Sequence, residues 1–124
     1  VETVAAFTDR DVERLMGDAG IVRNRAKIEA TIANARVAAD LDVELSDLLW
    51  SFAPPPRPRP AGMADLPSHS SHSAGLAREL RRRGFRFVGP TTTYSLMQAT
   101  GMVDDHIEAC WVPLTGAPGA VTGL

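Results

Sequence analysis

Apolar residues recur at helical spacing through the first forty positions. Val12, Leu15 and Met16 share one face of a segment opening at Thr8, where Asp11, three residues on, resembles a capping box. Gly20 is placed as its left-handed stop, and a second helix is expected from about Asn24, with Ile28, Thr31/Ile32, Ala35 and Ala39 as its buried stripe. Ser46 is expected to cap a short helix through Leu48, Leu49, Trp50 and Phe52, with Trp50 in the core. The proline run 54–60 forbids helix and predicts an extended crossing. After a loop-like stretch, 61–73, a helix over roughly 73–83 buries Leu76 and Leu80 and stops at Gly84, with Phe85, Phe87 and Val88 anchoring the turn that follows. Two more short helices are expected, one from the Thr91/Thr92 hydroxyls to Gly101 and one from Asp104 or Asp105. Beyond Pro113 the tail, 114–124, is expected to be disordered.

Composition narrows this to one all-α domain over 1–113, because 124 residues at 44% hydrophobic suit one small core. No run of eighteen apolar residues and no secretory leader is present, so a soluble cytoplasmic protein with no membrane partner is expected. The net charge of −2 is unevenly spread. Positive charge gathers at Arg23/Arg25/Lys27 and at Arg78/Arg81/Arg82/Arg83/Arg86, and acid between Asp40 and Asp47. A local basic face binds phosphate even on a slightly acidic chain, although arginines on exposed helices also simply solvate a surface.

Two constellations carry chemistry. Helix, glycine-containing turn and helix over 11–40 would point the N–H groups at Gly20, Ile21 and Val22 outward, beside the positive end of the second helix and the cations Arg23, Arg25 and Lys27. Such a unit suits a DNA phosphate, and equally a turn that needs Gly for steric reasons alone. On the expected last helix His106 and Cys110 stand four apart, on one face, which suits an imidazole and a thiolate converging on zinc. Structural zinc takes four ligands, so two more are needed, and His69 and His72 are the further histidines of the chain. The plainer reading is a buried cysteine and a surface histidine without metal.

Five stretches occur in an order that resembles DNA-3-methyladenine glycosylase I, of the helix-hairpin-helix glycosylase superfamily. They are Asp-Val-Glu-Arg-Leu with Asp-Ala-Gly-Ile-Val-Arg-Asn-Arg-Ala-Lys-Ile within 11–28, Leu-Leu-Trp-Ser-Phe at 48–52, Arg-Gly-Phe-Arg-Phe-Val-Gly at 83–89, Tyr-Ser-Leu-Met-Gln-Ala at 94–99 and Asp-His-x-x-x-Cys at 105–110. The resemblance implies hydrolysis of the N-glycosidic bond of 3-methyladenine in double-stranded alkylated DNA, with the base flipped into a pocket. It implies Ser95 and Tyr94 in the base pocket, the hairpin residues on the DNA backbone, and His106 and Cys110 as two of the four ligands of a structural zinc. The matching part corresponds to the carboxy-terminal two thirds of the family's domain, so the recognising Glu and the other two ligands are expected upstream of Val1, and none of the glutamates here takes a catalytic role. The only lysine, Lys27, sits about a turn past the position of a lyase nucleophile, so a monofunctional enzyme is expected, and the resemblance implies a monomeric bacterial one. A catalytically silent DNA-binding fragment, or a helical protein sharing metal across a homodimer, are the rivals.

Overall fold

The computed structural model describes residues 1–113, and every regular element among them is helical. After a single turn, α1 (Glu2–Ala5), the chain enters α2 (Asp9–Met16) through the expected capping box: Asp11 accepts the Thr8 N–H at 2.9 Å. The exit differs from expectation. Helix α2 closes at Gly17 in a right-handed conformation, and Gly20 has no positive φ. The Asp18 carboxylate instead accepts the Gly20 N–H at 2.8 Å, and this side-chain turn reverses the chain without a left-handed residue.

Helix α3 (Arg25–Ala39) starts at Asn24, whose amide oxygen accepts the Lys27 N–H. Ile28 and Ile32 are buried as expected and Ala30 joins them, while Thr31 and Ala39 face solvent. Val12, Ile28 and Ile32 close a small core with Val4, Phe7, Leu15 and Met16. Arg36 pins the α1–α2 corner to this helix by donating to the Ala5 and Phe7 carbonyls at 3.0 and 2.8 Å.

Helix α4 (Leu45–Trp50) has Glu44 at its N-cap position without a side-chain hydrogen bond, and Ser46, the expected cap, lies inside it. Leu48 takes the buried position; Trp50, two residues on, turns to the other side and is 37% exposed, so it is not the core residue expected. Residues 53–60 form the expected non-helical crossing, followed by a 3-10 turn (Met63–Asp65). Helix α5 (Ser71–Arg82) begins two residues earlier than expected, because Ser70 and Ser73 cap each other's N–H groups at 3.1 and 2.9 Å.

Helix α6 (Pro90–Thr100) opens on Pro90 after Gly89, with no side-chain cap, so the Thr91 and Thr92 hydroxyls do not start it. It stops, as expected, at Gly101, with φ of 78°. Leu76 and Leu80 of α5 interlock with Tyr94 and Met97 of α6, and Leu48, Met102 and Val103 complete the larger core. The fully buried Thr93 hydroxyl bonds the Ser73 carbonyl at 2.8 Å, fixing the two helices face to face.

The second terminal helix does not form. Its backbone bonds are diverted: Glu108 N–H donates to Pro60 O at 3.0 Å, and the Asp104 carboxylate accepts the His106 N–H at 3.2 Å. His106 and Cys110 therefore lie on an irregular segment, without the shared helix face the sequence suggested. Phe87 also departs from expectation, being 61% exposed instead of anchoring the turn. The tail expected to be disordered, 114–124, lies outside the described residues.

Candidate functional site

The hairpin places Gly20, Ile21, Val22, Arg23, Arg25 and Lys27 together on the surface, all exposed, with Val22 at 85%. Asn24 occupies the Lys27 N–H, leaving the N–H groups of Arg25 and Ala26 at the helix start without intrahelical partners. The three cations are not equivalent. Arg25 is drawn to Glu13 at 2.7 Å and Glu29 at 3.8 Å, and the hydrogen bond it donates to Glu13 above all raises its pKa. It bridges α2 to α3, whereas Arg23 and Lys27 make no ion pair among the described residues and keep their charge for an outside anion.

Tyr94 and Ser95 are neighbours on α6 with opposite fates. Tyr94 is 2% exposed and presents no surface to a ligand, whereas Ser95 is exposed, with its hydroxyl donating to Thr91 O at 3.1 Å. The Tyr94 hydroxyl donates to Asp105 at 2.6 Å, Gln98 donates to the same carboxylate oxygen at 2.8 Å, and Arg57 pairs with the other oxygen. Burial, then the Asp105 carboxylate, pushes the Tyr94 pKa up, so the phenol stays neutral and keeps donating.

Next to it, Arg59 pairs with Asp104 at 2.8 Å and donates to the Val112 and Pro113 carbonyls. The two arginines of the proline crossing thus capture both aspartates and hold the 102–113 segment against α6. This latch was not foreseen from the sequence; the Pro-Arg-Pro-Arg-Pro alternation opposite Asp104-Asp105 was its only signal.

His106 and Cys110 were the expected metal ligands. Among the described residues no group of three or more His, Cys, Asp and Glu side chains is arranged to hold a metal, and exposed His69 and His72 bring no third ligand to the pair. One feature suits a half-site: Asp104 faces His106 Nδ1 at 2.8 Å, the outer carboxylate that a metal-binding imidazole ordinarily has, leaving Nε2 open. Burial raises the Asp104 pKa, but the bonds from His106 and Arg59 outweigh it and the net shift is downward, so the carboxylate stays charged.

Residues 1–113 match the methyladenine glycosylase family. DNA-3-methyladenine glycosylase 1 of Escherichia coli strain K12 is 43% identical over 112 residues, covering 86% of this chain and 60% of that protein. The crystal structure of a 3-methyladenine DNA glycosylase I superposes with a TM-score of 0.84 at 41% identity, over 89% of this chain and 63% of the other. A single-residue variant of such an enzyme, crystallised in complex with 3-methyladenine, gives a TM-score of 0.81 at 31% identity, over 88% and 61%. The chain thus spans about 60% of the length of the curated relative it matches. With residues 1–113 matching the family and its helical fold superposing on these relatives, the chain belongs to the methyladenine glycosylase family.

Proposed function

We propose that the protein takes part in base-excision repair by hydrolysing the N-glycosidic bond of 3-methyladenine in double-stranded DNA. The observation that carries this reading is the shared fold with a relative crystallised in complex with 3-methyladenine. A base inside a duplex must leave the stack to be reached, and a methylated, cationic adenine is a good leaving group, so holding the flipped nucleotide matters more than strong acid catalysis.

In this reading the hairpin holds the strand. The open N–H groups and dipole at the start of α3, with Arg23 and Lys27, take a backbone phosphate, and Arg25 keeps the hairpin rigid through Glu13. Exposed Ser95 contributes a hydroxyl on the base side. Tyr94 supports it from within, fixing α6 to the latch through Asp105. His106 and Cys110 are proposed as two ligands of a structural zinc, which when bound would staple the 102–113 segment to the rest of the site. We place no lyase step on Lys27, and propose a monomer working in the bacterial cytoplasm.

The test is incubation of the natural gene product with methylated duplex DNA and chromatographic identification of the freed bases. Free 3-methyladenine is expected. DNA binding without any freed base would leave the silent DNA-binding module as the better reading.

A further inference from the structure

The expectation that Phe87 anchors a turn fails in an informative way. A bulky residue with φ of 57° lies in the left-handed region, which L side chains rarely adopt, and Phe87 is nevertheless 61% exposed. Its own packing does not hold it there. The neighbouring backbone is clamped: the Asn34 amide on α3 donates to Arg86 O at 3.0 Å and accepts the Arg86 N–H at 2.8 Å. Gly84, at φ of 101° over Val37, admits the chain to that clamp.

The held ring borders a concavity of about 340 Å³ lined by Lys27, Ala30, Thr31, Asn34, Phe87 and Thr92. That volume falls at the lower end of small-ligand sites. The lining has one cation and no anion, and Lys27 makes no ion pair among the described residues. An exposed aromatic face beside an unpaired ammonium complements a nucleotide, through stacking on its base and attraction to its phosphate. Thr92 also stands three residues before Ser95 on α6, so the concavity adjoins the base-side serine.

We propose that Phe87 is a stacking platform for an unpaired nucleobase of the bound DNA strand, with Lys27 on the adjoining phosphate. The site is additional to the pocket for the excised base, and the proposal rests on the reading of the chain as DNA-binding. Strain at Phe87 then has a use: it accompanies a ring held 61% exposed.

The test compares a short oligodeoxyadenylate with a strand of the same length and phosphates but without bases, on the chain itself and on Phe87→Gly. Glycine tolerates the positive φ, so the variant should unfold no earlier than the unsubstituted chain in thermal denaturation. The chain is expected to prefer the base-bearing strand by about 5- to 150-fold, the range of base–aromatic stacking. Phe87→Gly should lose that preference while binding the base-free strand equally well, and Lys27→Gln should weaken both strands alike. An unchanged preference in a folded Phe87→Gly overturns the stacking site alone. Failure of the unsubstituted chain to bind either strand overturns the DNA-binding reading and the site with it. A dimer abolished by Phe87→Gly, with DNA binding unaffected, would assign the face to a second copy of the chain and overturn the proposal.

Discussion

The Tyr94 hydroxyl donates to the Asp105 carboxylate at 2.6 Å, joining a residue buried in the core to one on an irregular segment eleven positions later. Tyr94→Phe keeps the ring in place and removes only the donor. Gln98 and Arg57 still bind Asp105, so the loss falls at the low end for a bond to a charged group, about 1.5 kcal/mol. Urea denaturation of the two proteins measures it, and equal midpoints would show that the phenol adds nothing to the latch.

Gly101 ends α6 at φ of 78°, with no heavy atom within 4 Å of a Cβ built there. Substitution therefore meets conformational strain and no clash. Gly101→Ala should cost about 1 kcal/mol and Gly101→Asn less, because Asn visits the left-handed region more readily. Denaturant midpoints that rank Asn below Ala would contradict this assignment.

Glu79 lies on the outer side of α5, where hydrogen bonds from Arg82 and then Arg83 pull its carboxyl from 4.5 down to about 2. A carboxyl depressed by folding stabilises the native state above its unfolded value, and that contribution is lost as pH falls from about 4.5 toward 2. Carboxyl-carbon NMR should give a Glu79 midpoint far below an ordinary glutamate, and Glu79→Gln should flatten stability against pH within that window. Salt should weaken the part of the effect that comes from exposed Arg82.

If His106 and Cys110 each ligate zinc, metal analysis of the purified natural gene product should find about one zinc per chain, and His106→Ala or Cys110→Ala should lower it. Asp104→Asn should keep the metal but weaken its retention against a chelator about 10- to 100-fold, because an outer carboxylate orients the imidazole. A metal-free protein would remove these two residues from the site.

Several helix ends that local chemistry decides were legible, although the Gly20 stop, the Ser46 cap and the Thr91/Thr92 start were not the ones the chain uses. The Thr8/Asp11 cap, the Asn24 start, the prolines and the Gly101 stop all act within a few residues of themselves. The reading failed where distant groups intervene. Asp104 and Asp105 look like helix caps, but Arg57 and Arg59 reach them from more than forty positions away, and Pro60 takes an N–H that a helix would use. Phe87 looks like core until the clamp from Asn34 is known. Of the candidate site, the basic hairpin and Ser95 could be named from sequence, but not the division of labour that gives Arg25 to Glu13 and leaves Arg23 and Lys27 open.

The natural gene product is expected to free 3-methyladenine from DNA. Single-turnover reaction with a duplex carrying one such base measures this directly. First-order release of the free base is expected, with an intact but alkali-labile strand and a slower rate for Ser95→Ala. A folded, DNA-bound protein that releases no base would contradict it.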